Sequence, residues 1–309
     1  MPETGQPVRL APTVSLHLRR GRNLQFGLDP TWAGIIDTLP PDTTTRIRDV
    51  LAGTRTPVTV DELTDALVSA GGTPAETATL IDELIDYGAL LRVPVGVPRV
   101  GVLGEDRAAD GIRDLVAQYG AEVSGRLPGE RPGGFLRTFS PGAPVVLTGA
   151  PDELHDLSTP IIQRGGDVIP VTVIDGRVVL GPLRLHGAGP CPLCARLHRF
   201  DADPDAPREA PRFGDGSWLP PDPVVLRTVV TTAAALVLRF AGVTAPPPGP
   251  ERDLPSAGTV ITVDPHRLTS TATRFGVHPH CPDCWAAARG CADSGAPSPG
   301  VPEVSRGFR

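Results

Sequence analysis

The chain has 309 residues, 40% of them hydrophobic, and a formal net charge of −6 at pH 7, which predicts a folded protein of about two domains. This acidic balance argues against general binding to nucleic acids or anionic membranes, because phosphate groups attract basic surfaces. All 29 basic residues are arginine, so the P-loop lysine, a Schiff-base lysine and a lysine general base are excluded.

The N-terminal residues MPETGQPVRLAP lack the basic region and apolar stretch of a secretory signal. The longest apolar run, residues 229–238, is too short to cross a bilayer and predicts a buried helix. We therefore expect a cytoplasmic protein without a membrane partner. Five cysteines in a reducing compartment favour metal or redox chemistry over structural disulfides.

Residues 1–95 are predicted to form a first domain with a winged helix-turn-helix fold. Apolar and polar residues alternate on both sides of Arg20, which predicts a β-hairpin. Thr59 and Thr73 each lie three residues before a glutamate, the spacing of a capping box at a helix start. Gly88 follows the second of these helices and is expected to end it.

A winged helix raises the question of DNA binding. Residues 1–94 contain 8 Arg against 12 Asp plus Glu, a net charge of −4. The last predicted helix displays Glu76, Asp82, Glu83 and Asp86, a face that repels phosphate. Peptide binding is therefore the favoured function of this domain, with a dimerisation or packing module as the alternative.

Residues 96–290 are predicted to form a second domain, followed by a flexible tail at 291–309. Strand and helix patterns alternate from "RVGVLGEDRAADG" onwards, which predicts an α/β fold with a largely parallel sheet. Gly101 and Gly104 lie where a dinucleotide or ATP loop would begin. Glu105 and Asp106 follow at the expected phosphate position, so the sequence disfavours a nucleotide site.

Two C-P-x-C motifs carry the strongest chemical signal in the sequence. Cys191 pairs with Cys194, and Cys281 pairs with Cys284 after 86 intervening residues. Two such pairs in a reducing compartment predict a structural zinc site with four cysteine ligands. A thioredoxin-like redox motif is the alternative, although it leaves the second pair unexplained.

Three further residues with metal-binding or nucleophilic side chains lie near the second pair in the sequence. His278 and His280 are alternative metal ligands, but are expected to be loop residues or partners that surround the ligands. Cys291 is the odd cysteine and is expected to have no role, since no fixed base accompanies it.

The segment "GPCPLCARLHRFDADPDAP" followed by "HPHCPDC" resembles the ThiF-like, ubiquitin-activating-enzyme-like proteins of thiazole/oxazole-modified peptide (TOMM bacteriocin) biosynthesis. These are described as cyclodehydratase-domain or leader-peptide-binding proteins. The resemblance covers residues 95–290 and implies a degenerate Rossmann-like ThiF-type domain with a structural zinc. It also implies that homodimers are common, and that the winged helix resembles a peptide-recognition element.

The resemblance further implies a role as partner of a YcaO-type cyclodehydratase. A precursor leader peptide would add as a strand beside the hairpin and pack on the last helix. The residues that this predicts for peptide binding are Leu24, Gln25, Phe26, Leu80, Glu83, Leu84 and Tyr87. The apolar members among them are equally compatible with simple core packing.

The sequence thus predicts a non-catalytic, zinc-containing scaffold with a bound peptide and a partner enzyme. An atypical ATP-dependent adenylyltransferase of the ThiF type is one alternative, in which Gly101 and Gly104 would belong to the nucleotide loop. A winged-helix regulatory or interaction protein is the other.

Overall fold

The structure is a computed structural model that describes residues 6–19, 23–29, 31–37, 40–208, 212–213, 217–249 and 253–293. By its contacts the chain divides into two units. The first comprises Met1–Val97 with Gly242–Leu254, and the second comprises Pro98–Ala241 with Pro255–Arg309. A segment that the sequence assigned to the second domain therefore belongs by its contacts to the first unit.

The described residues of the first unit form six strands and three helices. In chain order these are β1 (Pro7–Leu10), β2 (Leu16–Arg19), β3 (Asn23–Phe26), β4 (Gly34–Ile36), α1 (Pro41–Gly53), β5 (Val58–Thr59), α2 (Val60–Ser69), α3 (Pro74–Tyr87) and β6 (Leu90–Arg92). The strands form two antiparallel sheets, ordered β5-β1-β6 and β2-β3-β4. The predicted hairpin is confirmed as β2 and β3, while its turn at Arg20 lies outside the described residues.

Local side-chain chemistry sets the helix boundaries of this unit. Thr59 and Thr73 each accept a hydrogen bond from the backbone N–H of a glutamate, whose carboxylate accepts one from the threonine N–H. Each pair satisfies two N–H groups that a helix start leaves unpaired. Gly88 ends α3 in the left-handed conformation, at φ 83°, which glycine adopts without steric cost. The predicted starts of α2 and α3 and the predicted end of α3 are confirmed.

The apolar faces of the three helices share one core with the strands. Its fully buried members include Leu10 of β1, Leu24 of β3, Leu51 of α1, Leu63 of α2 and Ile81 of α3. Burial of each such side chain contributes about 1.5–3 kcal/mol relative to exposure. The first unit therefore has a hydrophobic core of its own.

The described residues of the second unit form seven strands and seven helices. In chain order these are β7 (Arg99–Leu103), α4 (Arg107–Gln118), β8 (Glu122–Ser124), α5 (Pro132–Thr138), β9 (Val145–Thr148), α6 (Pro151–Asp156), α7 (Ser158–Arg164), β10 (Val168–Ile174), β11 (Arg177–Leu180), α8 (Pro192–Ala202), α9 (Pro223–Phe240), β12 (Thr259–Asp264), β13 (Thr269–Arg274) and α10 (Pro282–Asp293). The predicted tail begins inside α10, and its residues 294–309 lie outside the described residues.

The strands of this unit form one mixed sheet, ordered β13-β12-β11-β10-β9-β7-β8. The α/β class is confirmed, but the prediction of a largely parallel sheet was wrong. Only β8, β7, β9 and β10 are parallel, while β11, β12 and β13 continue the sheet antiparallel. Asp175 and Gly176 both have positive φ and turn the chain straight back, which leaves no room for a helical crossover.

α9 is the core helix of the second unit. Of the described helices, it alone is long and apolar enough to cross a membrane by length and composition. Its inner face, which includes Val229, Ala233 and Val237, is buried, and the helix packs on α4, β10 and β11. The apolar run at 229–238 thus forms the buried helix that was predicted from it.

Candidate functional site

Four cysteine thiols converge in the second unit. The Sγ atoms of Cys191, Cys194, Cys281 and Cys284 all lie within 4.8 Å of one another. Cys191 Sγ is 3.7 Å from Cys194 Sγ and 3.6 Å from Cys281 Sγ, and Cys194 Sγ is 3.6 Å from Cys284 Sγ. A tetrahedron of sulfur atoms about 2.3 Å from zinc has edges of about 3.8 Å. The cluster therefore fits a closed, structural zinc ion with no open position for water.

Both cysteine pairs occupy equivalent positions at helix N-termini. Cys191 immediately precedes α8 and Cys281 immediately precedes α10, and a proline opens each helix. Cys194 and Cys284 follow in the first turn, which brings each beside the first cysteine of its pair. Because a helix N-terminus carries partial positive charge, both helices favour the thiolate form.

The buried Arg184 lies close to this cluster. Its guanidinium donates hydrogen bonds to the carbonyl oxygens of Gly187 and Gly189, in the loop that leads into the first pair. Burial lowers the pKa of this guanidinium, and the charges of the cysteines act in the opposite direction, with Cys284 the largest of them. Four thiolates around a divalent ion would carry a net charge of −2, which the Arg184 guanidinium would offset while it orders the loop.

Without a metal ion, the four thiols of the cluster differ in pKa. Hydrogen bonds from Cys194 and Cys284 lower the pKa of Cys191 to about 2. Hydrogen bonding with Cys191 raises the pKa of Cys194 and raises that of Cys284 to about 12, while burial raises the pKa of Cys281. Zinc must therefore displace protons from the cluster as it binds.

His278 supports the second cysteine pair. Its ring is buried, its Nε2 is 2.8 Å from Oδ2 of Asp201, and its Nδ1 accepts the backbone N–H of His280 at 3.1 Å. Since Nδ1 is an acceptor, the ring proton lies on Nε2 and is donated to Asp201. The carbonyl of His278 also accepts the N–H of Cys281 at 3.0 Å. Both ring nitrogens are thus engaged, and the four cysteines remain the ligand set.

A second candidate site is the start of α4, where a nucleotide-binding relative of this fold would hold phosphate. Here Asp106 occupies the position. Its Oδ1 accepts the N–H groups of Ala108 and Ala109 at 2.8 and 2.9 Å. Its Oδ2 accepts Thr148 Oγ1 at 2.7 Å and Trp218 Nε1 at 3.2 Å. The helix N-terminus is therefore filled by a carboxylate of the chain itself.

The two glycines predicted for a nucleotide loop have different roles. Gly101 lies inside β7, where a Cβ would come within 2.9 Å of the Phe139 and Val145 side chains, so close packing requires glycine at this position. Gly104 does lie in the loop before α4, but a Cβ there would be 2.0 Å from Thr148 Oγ1. Glycine is therefore required at position 104, because the Thr148 side chain approaches closely to donate its hydrogen bond to Asp106.

A cavity of about 470 Å³ opens at this end of the sheet. Its lining includes the carboxylates of Glu105, Asp106, Glu153 and Asp156 against a single arginine, Arg126, which forms an ion pair with Glu105. Arg212 also forms an ion pair with Glu153, so two arginines balance four carboxylates, and the remaining negative charge opposes a polyphosphate in the cavity. Thr148 and Trp218 had no signal in the sequence, because they lie far along the chain from Asp106.

The strand residues predicted for peptide binding are not at a sheet edge. Leu24, Gln25 and Phe26 form β3, which pairs with β2 on one side and β4 on the other. Leu24 and Phe26 are buried in the core. An added strand needs unpaired backbone groups, so its main-chain contacts would fall on β2 or β4, the two edge strands, and not on β3.

The helix residues of that prediction divide between core and surface. Leu84 is buried, Leu80 and Tyr87 are partly buried, and Glu83 is exposed. Tyr87 Oη donates to the carbonyl oxygen of Trp32 at 2.5 Å. α3 is thus tied to the segment just before β4.

The β2-β3-β4 sheet has two edge strands, β2 and β4, and within the described ranges no strand pairs with the outer side of either. A Cβ at Gly34 would lie 2.9 Å from the Tyr87 ring, so this ring covers the start of the strand. Trp32 and Ile35 are 61% and 44% exposed. The sequence analysis missed both residues, because no local pattern distinguishes an edge strand from a central one.

The fold of this chain is similar to that of several solved structures. A heterocyclase in complex with substrate and cofactor superposes with a TM-score of 0.56 and 13% identity over 90% of this chain, and the heterocyclase TruD with 0.54 and 14% over 90%. E. coli MccB, solved with MccA-N7isoASN, superposes with 0.52 and 12% over 90%.

The lengths of these proteins differ from one another. The chain spans 39% and 43% of the two heterocyclases, but 99% of MccB. No family model matches the sequence, and no curated protein matches it. At these identities the likeness establishes a common fold.

Proposed function

We propose that this chain is a non-catalytic, zinc-stabilised scaffold that binds the leader peptide of a precursor and presents it to a YcaO-type cyclodehydratase in the cytoplasm. The common fold with heterocyclases and MccB supports a role in modified-peptide biosynthesis. The observation that carries the non-catalytic part is Asp106, whose carboxylate fills the helix N-terminus where a phosphate would otherwise bind. The four cysteines hold zinc for stability and take no part in chemistry.

In this proposal the three helices and the β2-β3-β4 sheet of the first unit form the winged-helix peptide-recognition element. The leader peptide adds as a fourth strand beside β4, which replaces β3 as the docking strand. Main-chain hydrogen bonds supply affinity, while Trp32, Ile35 and Glu83 contact its side chains. The support for this position is a free strand edge flanked by exposed apolar residues and by α3.

Fluorescence anisotropy of a labelled leader peptide, from a precursor encoded beside this gene, tests the proposal. We expect Trp32→Ala and Ile35→Ser each to raise the Kd about tenfold, because exposed aromatic and aliphatic anchors dominate such interfaces. Val95→Ser is the matched control, since Val95 is an apolar residue of the same unit that is 86% exposed. Equal affinities for all four proteins would refute the β4 site.

The adenylyltransferase alternative makes the opposite prediction about nucleotides. ATP–pyrophosphate exchange with the full chain and the leader peptide should stay at background, because Asp106 and the acidic cavity repel the triphosphate. Robust exchange would establish the alternative. We also propose that the chain forms a homodimer, which neither the peptide-binding assay nor the pyrophosphate-exchange assay tests.

A further inference from the structure

The two edges of the seven-stranded sheet differ in how well they are protected. The edge strand β8 is three residues long, and its Glu122 forms an ion pair with Arg99. The opposite edge strand, β13, is six residues long, and every one of its residues is exposed. Its inner side pairs fully with β12, and no strand in the described part of the chain pairs with its outer side.

The composition of β13 favours strand addition. Proteins usually blunt an exposed edge with a short strand, charged side chains or proline. The strand "TSTATR" contains no proline or acidic residue, and its one charge, Arg274, lies at its end. Its N–H and C=O groups along the outer side therefore form a regular template for another strand.

We infer that a second copy of this chain occupies this edge, with the two β13 strands antiparallel around a two-fold axis at Thr271. This inference deepens the homodimer of the proposed function by assigning its interface. A two-fold axis perpendicular to the sheet keeps the same face of both β13 strands on the same side of the joined sheet. Odd-numbered residues of one strand therefore lie opposite odd-numbered residues of the other, and even-numbered residues lie opposite even-numbered ones. Thr271 then faces Thr271 of the second copy, and Thr269 faces Thr273.

This register makes the strand self-complementary. The three threonines lie on one face, since side chains alternate along a strand, and cross-strand threonine pairs stabilise antiparallel sheets. Ser270 faces Ala272 on the other face. Arg274 lies at the end of the strand, three residues from the axis at Thr271, so the one charge of the strand does not face its own copy.

Charge reversal at the axis tests the inference by light scattering coupled to gel filtration. The wild-type chain should show twice its mass of 32.3 kDa at high micromolar concentration. Thr271→Lys and Thr271→Glu should each show the single-chain mass, because the substitution puts like charges directly opposite each other. An equimolar mixture of the two variants should recover the doubled mass.

Thr159→Lys is the matched control, because Thr159 is an exposed threonine elsewhere in the same unit. It should dimerise as the wild type does, and all variants should keep the wild-type circular dichroism spectrum. A wild-type monomer, a Thr271→Lys dimer, or a mixture that stays monomeric would overturn the inference. Leader-peptide binding at β4 is measured separately, so a failure here is distinguishable from a failure of the proposed function.

Discussion

Thr148 Oγ1 donates a 2.7 Å hydrogen bond to Oδ2 of Asp106 and so links the carboxyl end of β9 to the first turn of α4. Trp218 Nε1 donates to the same oxygen from a segment 112 residues away. Four donors therefore hold the Asp106 carboxylate at the start of α4.

Asp106 should contribute both as a helix cap and as the acceptor of this network. We expect Asp106→Ala to lower the free energy of unfolding by about 2–4 kcal/mol, since it removes the cap and leaves two buried donors unpaired. Asp106→Ser retains a cap and should cost about half as much. Urea denaturation measures both, and Asp110→Ala, at an exposed ion pair with Arg113, should cost less than about 1 kcal/mol. Equal losses for the alanine and serine variants would mean that the cap contributes nothing, and no loss in the serine variant would mean that Thr148 and Trp218 contribute nothing.

The cysteine cluster should bind one zinc ion per chain. Cys191→Ser or Cys281→Ser should abolish zinc in elemental analysis and lower the free energy of unfolding by about 3–5 kcal/mol, because the closed site ties α8 to α10. Chelation of the wild-type protein should reproduce the loss. Cys291→Ser is the control and should retain both zinc and stability. A full zinc complement in Cys191→Ser would contradict the four-cysteine site.

His155 should make stability depend on pH. Burial, then the positive charges of Arg196 and Arg199, lower the pKa of its ring to about 4. Because the unfolded pKa is near 6.5, the unfolded chain binds the proton more tightly, and stability is lost as pH falls from about 6.5 to about 4. Allowing for solvent screening, the wild type should lose about 2 kcal/mol more than His155→Gln over this range.

Denaturant titrations at several pH values measure this difference. His186→Gln should behave as the wild type, since the His186 side chain is 90% exposed. Parallel pH profiles for the wild type and His155→Gln would show that His155 is protonated in the folded chain as readily as in the unfolded one.

The contact between Gly34 and the Tyr87 ring should couple β4 to α3. A Cβ at Gly34 lies 2.9 Å from the ring, so Gly34→Ala should lower the free energy of unfolding by about 1–3 kcal/mol. In Gly34→Ala/Tyr87→Ala the clash is gone, and the double variant should be more stable than the sum of the single effects by about 1 kcal/mol.

Thermal or urea unfolding of the four proteins gives this coupling. Gly53→Ala is the control, because Gly53 lies in α1 with no atom within 4 Å of an added Cβ. It should be neutral or slightly stabilising through helix propensity. Additive losses would mean that the ring and the strand are independent.

Features set by neighbours in sequence could be predicted from the sequence. The capping boxes at Thr59 and Thr73, the left-handed Gly88 and the tight turn at Asp175 depend on hydrogen bonds and φ angles within a few residues. The two C-P-x-C motifs also predicted the four-cysteine cluster, because tetrahedral ligation by two cysteine pairs depends mainly on the spacing within each pair.

Contacts between distant residues were decided only by the tertiary structure. Alternation in the sequence identified β3 but not its two partners, so the free edge at β4 was missed. The sequence placed Asp106 at a helix start, but only folding brought Thr148 and Trp218 to its carboxylate. Strand order and side-chain networks depend on which segments of the chain are in contact in the folded state. Packing across the whole unit stabilises those contacts, and no local sequence pattern encodes it.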